Sequence, residues 1–92
     1  MKTKFTLQEA DKLAELGFTV MKSLTRTETL TRRDKSDSMG PIKITFEIVI
    51  RNGQFNLIVK FYSENSDVPF TQTFSQSSFF MLLITLGSYN II

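Results

Sequence analysis

The chain has 92 residues, of which 41% are hydrophobic and 22% are charged, and its formal net charge is +2. This length and balance predict one globular domain over residues 1–92 with a single core. The chain contains no cysteine and no histidine. These two absences exclude disulfides, thiolate nucleophiles, imidazole acid–base catalysis and metal sites that need either ligand.

The N-terminal segment predicts a short amphipathic helix over residues 7–16. Thr6 and Glu9 have the spacing of a capping box, in which each side chain accepts a hydrogen bond from the other residue's amide. Apolar residues then recur at helical spacing. Gly17 follows, and it can adopt the left-handed backbone conformation that ends a helix. Acidic and polar residues arrive too early for a signal peptide, so we expect a cytoplasmic protein with no membrane contact.

From Phe18 onward, apolar and polar residues alternate, which predicts a long strand from about residue 18 to residue 32. Residues 33–41 contain turn-forming residues without periodicity and predict a loop. A β-hairpin follows over residues 42–61, because Asn52-Gly53 is the dipeptide preferred in a type I′ turn. A two-residue turn places Ile48 opposite Leu57 and brings the alternating apolar residues onto one face.

The remaining segments predict a polar loop over residues 63–69, a short strand over 70–74 and a second helix over 79–86. We expect Ser75 or Ser77 to cap this helix and Gly87 to end it. The element order is therefore α-β-β-β-β-α. Short loops between consecutive strands predict an α+β fold: a four-stranded antiparallel meander sheet with two helices packed on one face.

Two segments carry more apolar side chains than one small core can bury. The second helix is apolar on every side, and the sheet face without helices would carry Val49, Ile58 and Tyr62. Surplus apolar surface of this kind predicts self-association as a homodimer, through the helix, the sheet face or both. In the alternative, the helix is wedged between the sheet and the first helix, with the C-terminal tail folded over it.

The sequence contains no pattern typical of a catalytic site or of a cofactor-binding site. The serines have no histidine partner, and the four glycines are too widely separated to cradle a phosphate. The oxygen-rich run over residues 34–38 lacks the glycine and the terminal glutamate of an EF-hand loop. No pair of carboxylates is placed in an obvious pocket. We therefore expect no enzyme, no cofactor, no metal and no small-molecule substrate.

The basic residues cluster in the middle of the chain, at Arg26, Arg32, Arg33 and Lys35. We call these four residues the basic arm. The arm could bind an acidic protein surface or contact phosphates. The same residues would also suit a solvated strand end whose charges prevent aggregation. We expect a small, non-enzymatic interaction protein that binds and regulates or inhibits a partner protein. The alternative is a nucleic-acid-binding accessory protein that uses the same arm. The predicted partner-binding residues are Arg26, Arg32, Arg33, Lys35, Val49, Ile58 and Tyr62.

Overall fold

The computed structural model describes residues 1–36, 40–63 and 68–92, and it describes the side chains of these residues except at positions 33–36 and 40–42. The four strands form one antiparallel sheet in which each strand pairs with the next one along the chain. This order confirms the predicted meander and the α+β class. The elements are helix α1 (Leu7–Glu15), strands β1 (Leu30–Ser36), β2 (Gly40–Arg51), β3 (Gln54–Tyr62) and β4 (Phe70–Gln76), and helix α2 (Phe79–Ser88).

The central hairpin forms with the predicted register. Ile48 lies opposite Leu57, and Ile50 lies opposite Phe55. Asn52 and Gly53 both have positive φ angles, 52° and 74°, as a type I′ turn requires at its two central residues. Because the turn fixes the pairing, the apolar residues of both strands fall on the same face of the sheet.

Both helices cover this apolar face, which we call the inner face. Leu13 of α1 and Leu82 and Leu86 of α2 are fully buried in the same cluster as the inner-face side chains of β2 and β3. The Phe5 ring stacks on the Phe55 ring with centroids 6.1 Å apart. The buried hydrophobic core contains Phe5, Leu13, Phe18, Phe46, Ile48, Phe55, Leu57, Val59, Leu82, Leu86 and Ile91.

Helix α1 begins as its sequence predicts. The Thr6 amide donates to Glu9 Oε1 at 2.8 Å, and the Glu9 amide donates to Thr6 Oγ1 at 3.1 Å. The helix ends at Glu15, and Gly17 follows with a φ of 104°. Glu9 also contacts Lys2 Nζ at 2.8 Å, so one carboxylate satisfies the helix start and fixes the N-terminal segment beside it.

The predicted long strand over residues 18–32 is wrong for most of its length. Strand β1 begins only at Leu30. Before it, the chain folds back on itself: the Met21 amide donates to the Arg26 carbonyl at 2.9 Å, and the Leu24 amide donates to the Met21 carbonyl at 2.8 Å. Leu24 takes a φ of 58° in this turn. Sequence alternation did not reveal the turn, since it contains neither glycine nor proline.

The chain then rejoins β2 with one extra residue, which makes a β-bulge. Arg26 lies opposite Val49, and Leu30 lies opposite Phe46. Three residues therefore separate the first members of these two pairs, and two separate the second members. The extra residue reverses which side chains point inward. Thr27 is consequently buried, at 3% exposure, where simple alternation had placed it on the polar face.

Three further boundaries differ from the sequence prediction. The predicted loop over residues 33–41 is wrong at both ends, because β1 continues to Ser36 and β2 begins at Gly40; residues 37–39 lie outside the described residues, as do residues 64–67 of the other predicted loop. Strand β4 extends beyond residue 74 to Gln76. Ser75 therefore belongs to this strand.

Helix α2 differs from its prediction at both ends. Its N-cap is Ser78, and neither Ser75 nor Ser77 takes that place; the Ser78 hydroxyl accepts from the Met81 amide at 3.2 Å. Gly87 lies within α2 and does not end it. The ending uses Asn90, whose φ is 59°, with the Ile91 amide donating to the Leu86 carbonyl at 3.2 Å. This is a Schellman-type ending in which asparagine takes the left-handed position.

Candidate functional site

The face of the sheet opposite the helices, which we call the outer face, carries a shallow groove of about 310 Å³. The groove runs across β1, β2 and β3, and its lining does not include β4. No helix of the described part of the chain covers this face. The groove is lined by Thr29, Thr31, Lys43, Thr45, Glu47, Ile58, Lys60 and Tyr62.

The three predicted outer-face residues are all half-buried, and two of them line the groove. Ile58 pairs with Glu47, and Val49, two residues further along β2, pairs with Asn56. Val49 and Ile58 are therefore diagonal neighbours, at a separation where side chains still touch. Tyr62 lies at the other end of the groove, so the apolar pair and the aromatic ring mark its two ends.

Two lysines and one glutamate supply the charge of the groove. Lys43 and Tyr62 are direct cross-strand partners, and the Lys43 Nζ lies 5.2 Å from the Tyr62 ring centroid, a cation–π distance. Lys60 lies opposite Thr45. The ion pairs made within the described residues are Lys2–Glu9 and Lys12–Glu15, so neither groove lysine is neutralised by a carboxylate of that part of the chain. The groove thus has an excess of positive charge.

The basic arm predicted from the sequence does not form one patch in its described side chains. Arg26 is exposed and pairs with Val49, which places it on the outer face. Arg32 pairs with Ile44, five positions along β2 from Val49, and belongs to the inner face. Arg33 and Lys35 occupy β1 opposite Lys43 and Pro41, and their side chains are among those outside the described set. Arg26 and Arg32 consequently cannot contact one ligand phosphate together.

Arg32 has a structural partner in the C-terminal end of α2. Its guanidinium Nη1 donates to the carbonyl oxygens of Tyr89 at 3.2 Å and of Asn90 at 3.1 Å. These carbonyls follow the last turn of α2, where a cation also complements the negative end of the helix dipole. The inner-face cavity of about 430 Å³ beside them is lined by Arg32, Ile44, Phe46, Phe61, Ser88, Tyr89 and Asn90.

Helix α2 is not buried on every side. Leu82 and Leu86 are fully buried, but Phe80 is 69% exposed, Ile84 52% and Met81 43%. The alternative in which this helix is wedged inside the fold is therefore wrong, although the tail does fold back, with Ile91 at 9% exposure. Self-association of the exposed apolar side chains stays a prediction.

Lys43 and Lys60 were not among the binding residues predicted from the sequence. The signal was present in the hairpin register, which sets Lys43 beside Tyr62 and Lys60 two residues from Ile58 on the same face. The exposed Phe70 of β4, at 64% exposure, was not among them either. The signal there is the complete lack of charged residues from position 68 to position 92.

Metal and membrane features are not found in the described part of the chain. Within those residues, no group of three or more acidic side chains is placed to hold a metal ion. None of the helices there is both long enough and apolar enough to cross a bilayer. No protein-family model matches the chain, and comparisons with curated proteins and with solved structures give no significant match.

Proposed function

We propose that this chain is a small, non-enzymatic cytoplasmic interaction protein that binds a partner protein on its outer face and thereby regulates or inhibits it. The observation that carries the proposal is the outer-face groove. It combines half-buried Ile58 and Tyr62 with Lys43 and Lys60, which have no acidic partner among the described residues.

The composition of the groove favours a protein partner with an acidic rim. Protein interfaces combine an apolar, desolvated centre with a polar rim. On the outer face, Val49 and Ile58 provide an apolar pair, while Arg26 lies beyond it and the two lysines lie along the groove. An excess of cations speeds the approach of an acidic surface and selects against basic ones.

A nucleic-acid ligand is less well supported by the same geometry. Binding of single strands uses several aromatic side chains on which bases stack. Tyr62 is the one aromatic residue among those lining the groove, and Lys43 already lies over its ring. Arg32, a main element of the predicted phosphate-binding arm, is bonded to the end of α2 on the other face.

Site-specific photo-crosslinking in the source cells tests the proposal. A photoreactive amino acid at Ile58 should capture one discrete protein, whereas the same probe at Leu7, which is 73% exposed on α1, should not. The capture at Ile58 should be lost when Lys43→Glu and Lys60→Glu are combined in the same chain. The same pattern at both positions, or capture that survives the double charge reversal, would contradict the proposal.

A parallel measurement addresses the nucleic-acid alternative. Fluorescence anisotropy with labelled single-stranded DNA and RNA at low salt should show no binding by the unaltered protein. Binding that falls steeply with added salt and disappears in the Lys43→Glu/Lys60→Glu variant would assign the outer face to phosphate contacts. That outcome would overturn the protein-partner proposal in favour of nucleic acid.

A further inference from the structure

The free edge of β4 lacks the features that usually protect a sheet edge. In the part of the chain that the structure describes, β4 pairs with β3 on one side and with no strand on the other. Its seven residues, FTQTFSQ, include no charged residue, no proline and no glycine. Edges of this kind template pairing with another strand, and proteins usually block them with charges, prolines or bulges.

The opposite edge of the same sheet is protected. Strand β1 has the sequence LTRRDKS, which carries four charged residues over seven positions. The bulge between Arg26 and Leu30 also breaks the pairing that precedes it. All 11 basic and all nine acidic residues of the chain lie before position 68. Charge is thus concentrated away from β4 and α2.

Helix α2 brings an exposed apolar side chain next to the same unprotected edge. Thr85 Oγ1 accepts from Gln76 Nε2 of β4 at 3.3 Å, which identifies the side of α2 that faces β4. Met81 lies one turn before Thr85 and therefore shares that side. Ile84 lies about 100° and Phe80 about 140° from Thr85, so both point away from that side.

We propose that the β4 edge and the adjoining side of α2 bind a second copy of this chain, joining two sheets into one of eight strands. The occupant is a second copy because an antiparallel strand pair about a two-fold axis is complementary to itself. An uncharged patch can meet its own image without repulsion between like charges, which the β1 edge could not do. This proposal does not depend on the outer-face partner.

The register of the proposed pair follows from the alternation of β4, whose even-numbered residues lie on the inner face and whose odd-numbered residues lie on the outer face. A two-fold axis perpendicular to the sheet keeps inner residues on the inner face. Each even-numbered residue must therefore lie opposite an even-numbered one, and each odd-numbered residue opposite an odd-numbered one. The axis then passes beside one residue that faces its own copy. Thr73 is the middle residue of Phe70–Gln76, and centring there pairs all seven positions. Phe70 then becomes a diagonal neighbour of Phe74 of the second copy, within reach for two aromatic rings.

The two copies of α2 would also meet at a suitable distance. Helix α2 contacts both β3 and β4, which places its axis above the gap between them. With strands about 4.8 Å apart, the two α2 axes then lie about 10 Å apart across the two-fold axis. This matches the 8–10 Å separation of packed helices. Tyr89 bonds to Gln72 and Thr85 bonds to Gln76, so the C-terminal end of α2 lies nearest the axis at Thr73, and Ser88 would lie at the contact.

The exposed apolar side chains supply part of the surface that a dimer needs. Phe70 and Met81 are 64% and 43% exposed. At roughly 200 Å² for a fully exposed large side chain, they offer roughly 200 Å² per copy. A standard interface buries about 800 Å² per partner. The backbone edge of β4 and its threonine and glutamine side chains are available for the remainder.

Cysteine scanning tests the register directly, because the chain has no cysteine of its own. Thr73→Cys should form a disulfide-linked dimer under mild oxidation, since the two copies of residue 73 would face each other at bridging distance. Thr71→Cys, exposed on the same strand two residues away, should remain unlinked. Thr31→Cys, an exposed threonine on the protected β1 edge, should also remain unlinked. Equal linkage at residues 71 and 73, or none at residue 73, would overturn the proposal.

Charge variants test the same interface without a covalent bond. By light scattering after size exclusion, the unaltered protein should have twice its chain mass of 10.6 kDa. Thr73→Lys should weaken dimerisation by more than about tenfold, because it places like charges together at the two-fold axis. Thr31→Lys and Phe80→Glu should leave the dimer intact. Circular dichroism will show whether each variant folds; if Thr73→Lys does not, the cysteine scan decides. A monomer for the unaltered protein would refute the inference.

Discussion

Replacing Thr27 with valine tests the hydrogen bond that closes the bulge. Thr27 is 3% exposed, and its Oγ1 accepts from the amide of Ile48, which is fully buried, at 3.1 Å. The Thr27 amide donates to the Ile48 carbonyl at 2.9 Å, so a side-chain oxygen replaces the backbone acceptor that a regular ladder would supply. Valine has the same shape as threonine but no acceptor, and it leaves the Ile48 amide unsatisfied.

The expected cost follows from two opposing terms. An unsatisfied buried amide costs about 1–3 kcal/mol. Burying a methyl group in place of a hydroxyl returns up to about 0.8 kcal/mol. The free energy of unfolding should therefore fall by about 1–2 kcal/mol. With a urea slope of roughly 1–2 kcal/mol per molar for a small domain, the midpoint should move down by about 1 M.

Thr27→Ser is the matched control, because serine keeps the acceptor and loses only a methyl group. Urea unfolding gives the stability of both variants, and amide hydrogen exchange measured by NMR gives the local effect. Valine should speed the exchange of the Ile48 amide relative to the neighbouring β2 amides, and serine should not. If the Ile48 amide exchanges equally slowly in both variants, the bond does not hold the bulge, and the account of this segment is refuted.

Two further changes test the hairpin and the end of α2. Gly53→Ala forces a side chain onto a φ of 74°, which should cost about 1 kcal/mol and lower the thermal midpoint by roughly 5 °C; an unchanged midpoint by circular dichroism would contradict the turn assignment. Burial raises the pKa of Tyr89 above its ordinary value of 10.0, so its contribution to stability is complete below about pH 10 and is lost as the pH rises through the folded-state value. Tyr89→Phe loses the hydroxyl bond to Gln72 Oε1, 3.0 Å long, and should be less stable than the unaltered protein at neutral pH, but this gap should narrow in urea titrations above pH 10. A gap that widens there would contradict the burial of Tyr89.

Local sequence signals were sufficient for α1 and the central hairpin. The capping box needs only Thr6 and Glu9, three residues apart, and the hairpin needs only Asn52-Gly53 between two alternating runs. In each case, the atoms that decide the structure belong to residues close in sequence. The hairpin also sets the inner face, because one turn fixes the pairing of nine positions along each strand.

The bulge could not be predicted from local sequence signals, because it depends on contacts between residues that are far apart in the chain. Alternation from Phe18 to Leu30 assumes an unbroken strand, whereas the turn at Leu24 depends on a contact outside the segment. The Phe5 amide donates to the Leu24 carbonyl at 2.6 Å. Thr27 looked like a solvent-facing strand residue since nothing nearby in sequence indicates that its hydroxyl accepts from Ile48. The same limit hid the role of Arg32, whose acceptors lie 57 and 58 residues away.

The outer face was partly predictable, since hairpin parity alone places Ile58 and Tyr62 together with Lys43 and Lys60. Arg26 and Arg32 of the predicted basic arm lie on opposite faces for a physical reason: adjacent or bulged positions on a strand point to opposite faces. Clustering of Arg26 and Arg32 in sequence therefore says nothing about clustering in space. The spacing of charges relative to a fixed strand register is a more informative signal than their number.

The two proposed surfaces are compatible because they use different parts of one sheet. In the β4-paired dimer, the outer faces of both copies form one continuous surface of eight strands. Each groove is centred near β2, so the two grooves would lie about 24 Å apart at a strand spacing of about 4.8 Å. A dimer could then engage two sites on one partner assembly, and the second contact would benefit from the high effective concentration set by the first. Separating the copies at Thr73 would remove this gain while leaving each groove intact, whereas reversing the charge of Lys43 and Lys60 would abolish binding while leaving the dimer intact.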